Sequence, residues 1–211
     1  MTQATSPEAA PFQPKSGLVA VFSAAYNGLL HTVSVQRNMK IHWISGFMVM
    51  LVGMALEFDL TARAALYFSV FLILFAEILN SALEAFVDLH IKQYAYQAKL
   101  AKDASAAGVL VLACAIVVLF ADILWQYRTH IAESGTGIVR TLVCGLPAVF
   151  AMGVLLFAVT GKGAKLALAA GMFAGLSVLV AYSHDQYFSL AAAGFIWVSF
   201  HSRWRFPDGT R

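Results

Sequence analysis

The chain has 211 residues, 60% of them hydrophobic and 12% charged, with a mean hydropathy of +0.75, whereas a soluble domain is roughly 45–50% apolar and about 25% charged. A water-soluble enzyme is excluded, and the net charge of +3 is too small to argue for a nucleic-acid partner. Continuous apolar stretches of about 20 residues recur along the chain, the span a helix needs to cross a hydrocarbon core about 30 Å thick. Lipid offers the backbone no hydrogen-bond partners, so these runs predict an all-α, polytopic membrane bundle.

Residues 1–14 contain Pro7, Pro11 and Pro14 but neither a basic nor an apolar signal-peptide region, and read as a disordered lead-in. From Ser16 to Ser34, Leu18, Phe22, Leu29, Leu30 and Val33 recur at helical spacing, with Ser23, Asn27, His31 and Ser34 mostly on another side. That pattern predicts an N-terminal amphipathic surface helix, ending in the polar patch Gln36-Arg37-Asn38-Met39-Lys40. Crossings follow at about Ile41 to Leu56, Ala64 to Val87, Ala104 to Leu124, Thr141 to Thr160 and Leu166 to Tyr182. The last apolar run, Tyr187 to Phe200, is short for a full span. Six crossings are expected, with five plus a re-entrant or interfacial piece as the alternative. Cys114 and Cys144 lack metal-ligand spacing and read as packing residues, and Arg203-Trp204-Arg205 reads as an aromatic and basic interface anchor.

Positively charged loops tend to stay cytoplasmic. With an internal N-terminus, eleven of the 14 Lys and Arg residues fall inside and only Arg63, Arg128 and Arg140 outside. The split favours six crossings with both termini cytoplasmic.

The second crossing carries Glu77, Asn80, Ser81, Glu84 and Asp88. At about 100° per residue these share a stripe covering roughly a third of the helix circumference. Acids inside a membrane are costly and tend to face a bundle interior or a wet site, marking function; the plainer reading is a seam in which Asn80 and Ser81 glue helices together. A second polar cluster, Lys99-Leu100-Ala101-Lys102-Asp103-Ala104-Ser105, precedes the third crossing on the same side. Lysines can hold phosphates as point charges, and acids can bind hydrated Mg²⁺ together with phosphate oxygens.

Gln36-Arg37-Asn38-Met39-Lys40-Ile41-His42, the run from Glu77 to Glu84 with Val87-Asp88, and Tyr94 with Ala101-Lys102-Asp103 resemble, in order and spacing, the bacterial membrane-integral diacylglycerol kinase and undecaprenol kinase family. The similarity covers roughly residues 16–124. It implies a homotrimer of three-helix protomers in the bacterial inner (cytoplasmic) membrane, phosphorylating a lipid alcohol with MgATP at the cytoplasmic interface. Position by position, the resemblance implies Glu77 as catalytic base and Glu84 as metal ligand near the ATP phosphates. It implies Tyr94, Lys102, Asp103 and Glu84 as nucleotide contacts, and Glu77, Asn80 and Ala106 as substrate contacts. The family's second metal-binding glutamate is replaced by Gln36, which keeps an oxygen ligand but removes a charge. A kinase-like scaffold with little turnover is therefore the alternative.

The expected organisation is a lipid-kinase-like membrane domain over 15–127, an accessory transmembrane bundle over 138–202 and a cytoplasmic tail over 203–211. The accessory region lacks the motifs of a fused lipid phosphatase, and Gly161-Lys162-Gly163 lacks the spacing of a phosphate-binding loop. A transporter of three plus three helices would repeat internally, and the Glu77–Asp88 pattern has no echo after Thr141. His184-Asp185 reads as a solvated external turn, with a proton-relay pair as the rarer possibility.

Overall fold

A computed structural model describes residues 17–91, 93, 95–183 and 185–207. Among them the regular structure is entirely helical: α1 (Leu18–Val35), α2 (Arg37–Ala55), α3 (Leu60–His90), α4 (Tyr96–Gln126), α5 (Arg128–Glu133), α6 (Gly135–Phe157), α7 (Lys162–Val180) and α8 (Gln186–Arg205). The protein is a polytopic helical membrane bundle. Five of these helices, α1, α3, α4, α6 and α7, are long and apolar enough to cross a membrane. This set differs from the expected layout, because α1 qualifies while α2 and α8 do not. Arg37, Lys40 and His42 in α2, and His201, Arg203 and Arg205 in α8, dilute the apolar character of two helices sheltered by their neighbours. The final helix is also longer than its apolar run, reaching Arg205.

At about 1.5 Å per residue, the 31 residues of α3 and of α4 extend well past a 30 Å hydrocarbon core. Their overhang at the C-terminal end of α3 and the N-terminal end of α4 carries polar side chains beyond the apolar layer. Asp59 starts α3 by accepting the Ala62 amide at 2.8 Å, satisfying one orphan donor of the first turn.

α2 is the hub, packing against α3, α6 and α8, while α7 bridges α6 and α8 and α1 lies along α8. Glycines allow this approach. A Cβ on Gly53 would fall 2.5 Å from the Phe188 ring, and one on Gly46 would fall 2.8 Å from Val70 and 3.0 Å from Phe195. Trp43 reinforces the α2–α8 seam by donating its indole N–H to Ser199 Oγ at 3.0 Å. The resulting core joins Phe47, Met50 and Leu66 to Met152, Met172, Phe188 and Ile196, so both halves of the chain share one interior. α4 instead leans on α3 and leaves most of its apolar surface outward.

Three expectations change. Arg203 is buried, not an interfacial anchor: it donates to Leu155 O at 3.1 Å and Ala158 O at 3.2 Å, capping the last turn of α6. Carbonyls at a helix C-terminus lack internal partners and attract a cation, which draws the guanidinium inward. Asp185 is likewise not in a solvated turn. It is buried, meets Arg63 at 2.7 Å and accepts the Tyr187 and Phe188 amides at the start of α8. Burial acts to raise the Asp185 carboxyl, but the bond from Arg63 and those two amides outweigh it and hold it below the usual carboxylate range. Its sequence neighbour His184 lies outside the described residues. Cys114 faces outward from α4 rather than packing inside, while Cys144 is half-buried.

Candidate active site

The acid stripe of α3 begins in the interior and ends at the surface. Glu77 is only 2% exposed and Asn80 3%, Ser81 is buried, Glu84 is half-buried and Asp88 is exposed. Asn80 donates to Glu84 Oε1 at 3.4 Å, one helical turn away. Glu77 Oε2 and Asn80 Oδ1 are buried without a hydrogen-bond partner among the described residues. An unmet buried acceptor costs free energy and calls for an explanation such as a catalytic role or an absent ion or water.

Across the α3–α4 turn, Lys102 Nζ reaches both carboxylate oxygens of Asp88, at 2.9 and 3.2 Å. One turn earlier on α4, Lys99 meets Asp103 at 2.8 Å. These pairs border an open pocket of about 400 Å³ that also includes Gln93. Two acids and two lysines from helices running in opposite directions therefore gather where the overhangs of α3 and α4 meet. The sequence grouped Lys102 and Asp103 as neighbours, yet each is paired elsewhere. The pairing of Asp88 with Lys102 spans a helical turn and a reversal of direction, so sequence spacing gave no sign of it.

The remaining expected site residues are placed as follows. Ala106 is exposed on α4. Gln36 is half-buried at the α1–α2 junction, where its amide donates to Thr32 O at 2.9 Å and its side chain makes no capping bond. It lies at the same end of the bundle as the C-terminus of α3. Tyr94 lies outside the described residues. No group of three or more His, Cys, Asp or Glu side chains is clustered among the described residues.

A family model described as prokaryotic diacylglycerol kinase matches residues 23–124. Through that segment, a little under half of its length, the chain is similar to the prokaryotic diacylglycerol kinase family. A diacylglycerol kinase of Synechocystis sp. is 36% identical over 109 residues, covering 51% of this chain and 62% of that protein. Those of Escherichia coli K12 and Shigella flexneri are each 38% identical over 72 residues, covering 34% of this chain and 59% of theirs. The chain thus spans less than two thirds of the length of each relative. No solved structure matches significantly. The matched segment contains α2, α3, the acid stripe and nearly all of α4; α6, α7 and α8 lie beyond it and fit the extra C-terminal transmembrane region expected from the sequence.

Proposed function

We propose that the protein is an ATP-dependent lipid kinase that transfers the γ-phosphoryl group to a membrane lipid alcohol at the polar end of α3 and α4. The observation that carries this reading is the buried Glu77 carboxylate, with one oxygen unmet, in a segment matching diacylglycerol kinases. In the proposed reaction, Glu77 accepts the proton of the lipid hydroxyl as that oxygen bonds to the γ-phosphorus. The bond to the β-phosphate oxygen breaks, and ADP leaves. Asn80 holds the substrate end of the stripe, Glu77 and Ala106 flank the lipid, and Lys102, Asp103 and Tyr94 hold the nucleotide. Phosphoryl transfer depends mainly on positioning and charge neutralisation, so this small set of groups suffices.

The donor chemistry at this end suits Mg²⁺, which needs only one or two carboxylates beside phosphate oxygens. Glu84 is the proposed ligand, with Gln36 as a weaker neutral one, and the unmet Asn80 Oδ1 adds a hard oxygen nearby. When bound, Mg²⁺ supplies neutralisation of the phosphate charge. We place the polar end of the stripe and both termini on the cytoplasmic side of the bacterial inner membrane, as the distribution of Lys and Arg supports. A homotrimer is proposed from the family resemblance; the outward apolar side of α3, with Phe68 at 70% exposure and Phe75 at 57%, leaves room for neighbouring protomers.

Undecaprenol is the proposed acceptor on the Arg37-Asn38-Met39-Lys40 and His42 pattern, with diacylglycerol the competitor named by the relatives. ATP-dependent phosphorylation of each lipid in mixed micelles by the purified chain tests the reading. Product is expected from at least one, and product from neither would overturn it. Gln36 favours a second reading, a kinase-like scaffold with weak turnover. Gln36→Glu separates the two: substantial wild-type turnover ends the scaffold reading, and a rise from a near-zero baseline identifies a weakened kinase.

A further inference from the structure

At the end of the bundle opposite the acids and lysines, a polar cavity of about 310 Å³ opens between the C-terminus of α2, the α5–α6 turn and the C-terminus of α7. Its walls carry the charged Arg140 and Glu57 and the imidazole of His130, with hydroxyls from Thr136 and Thr141 among them. The Arg140 guanidinium lies 3.6 Å over the Tyr182 ring. It has no ion-pair partner among the described residues. Stacking of this kind orients a guanidinium while leaving its N–H edge available to a phosphate.

Thr136 and Arg140 also line a second space, of about 400 Å³ and otherwise largely apolar. That space shares Val143 and Cys144 with a third, of about 480 Å³, between α6 and α7. The three form a series along α6 from Thr136 to Ala151, roughly 22 Å at the helical rise. Small residues open its lower part. A Cβ on Gly175 would meet Cys144 O at 3.2 Å, whereas one on Gly171 would meet nothing within 4 Å. The two helices touch at Gly175, while Gly171 leaves open space in the third cavity.

An apolar groove facing lipid accepts any hydrocarbon, so the groove alone specifies nothing. The charged cavity that shares its residues does. We infer that this track is a binding site for a phospholipid whose headgroup carries both a phosphate and an amine. Arg140 and His130 receive the phosphate, Glu57 receives the ammonium, and one chain descends between α6 and α7. Opposite charges on the walls match a zwitterion better than a purely anionic headgroup, and the cavity lies at the far end of the bundle from the proposed kinase site.

Native mass spectrometry of the purified full-length protein tests this, with phosphatidylethanolamine, phosphatidylglycerol and diacylglycerol offered in parallel. Wild type should retain a phosphatidylethanolamine adduct preferentially, and Arg140→Gln should lower its retention by about tenfold, the scale of a charge-assisted hydrogen bond. Gly171→Leu, at a position with open space, should plug the groove and give a similar loss. Glu57→Gln should abolish the preference over phosphatidylglycerol. Circular dichroism establishes that each variant remains folded. Equal retention of all lipids by wild type and variants, or no retained adduct, overturns the site; preferential phosphatidylglycerol retention overturns the zwitterion assignment.

Discussion

Two groups of buried polar residues lie at the same end of the bundle and differ in how they are satisfied. In the C-terminal helices, Arg203 donates to carbonyls of α6, and its own carbonyl receives Lys165 Nζ at 2.8 Å. In α3, Glu77 and Asn80 are equally buried, yet each has an oxygen with no partner among the described residues. The first arrangement holds three helix ends together. The second leaves acceptor capacity where the family resemblance expects a substrate proton and a metal. Burial alone does not distinguish a structural charge from a chemical one, and unmet hydrogen-bonding capacity, which Arg63 Nε, Tyr67 OH and Thr160 Oγ1 also show, narrows the candidates without deciding among them.

The sharpest way to break this contrast is Glu77→Gln, which keeps the shape but cannot accept a proton. Lipid phosphorylation should fall by about 10²- to 10⁴-fold, the usual contribution of a general base, while the melting temperature holds or rises as a buried acid is removed. Full activity in that variant would remove the base assignment. Arg203→Leu should show the reverse pattern. Stripping a buried cation from the Leu155 and Ala158 carbonyls should cost about 3 kcal/mol, seen as a lower midpoint in thermal or denaturant unfolding.

Gly53→Ala addresses packing alone, because its new methyl would meet the Phe188 ring. A loss of about 1–3 kcal/mol is expected for such overpacking, and Phe188→Leu in the same chain should recover part of it. The smallest effect concerns pH. The folded Asp185 carboxyl sits below its unfolded value, so its contribution is present above the unfolded value, near pH 4, and is lost as pH falls through the folded value. The gap in melting temperature between wild type and Asp185→Asn should be constant near neutrality and narrow below about pH 4. A gap independent of pH down to the acid limit would show that this ion pair does not contribute.

Much of the site was readable because helical periodicity places Glu77, Asn80, Ser81, Glu84 and Asp88 on one face whatever surrounds them. What periodicity cannot reveal is which partner each residue finds. Lys102 meets Asp88 rather than its neighbour Asp103, because the α3–α4 reversal brings those two side chains together. Arg203 misled for a related reason. An Arg-Trp-Arg run beside an apolar segment carries the composition of an interface anchor, and only the position of the α6 C-terminus turns its first residue inward.

Composition and apolar run length by themselves determined that this chain forms membrane helices, since a backbone in hydrocarbon must satisfy its own hydrogen bonds. The spacing of polar residues along α3 determined the acid face. Tertiary structure decided that α2 is the hub, that Gly46 and Gly53 admit the rings of α8, and that the N- and C-terminal halves share one core. Those outcomes depend on which surfaces fit together among segments more than a hundred residues apart, and shape complementarity at that range leaves no local periodicity to read.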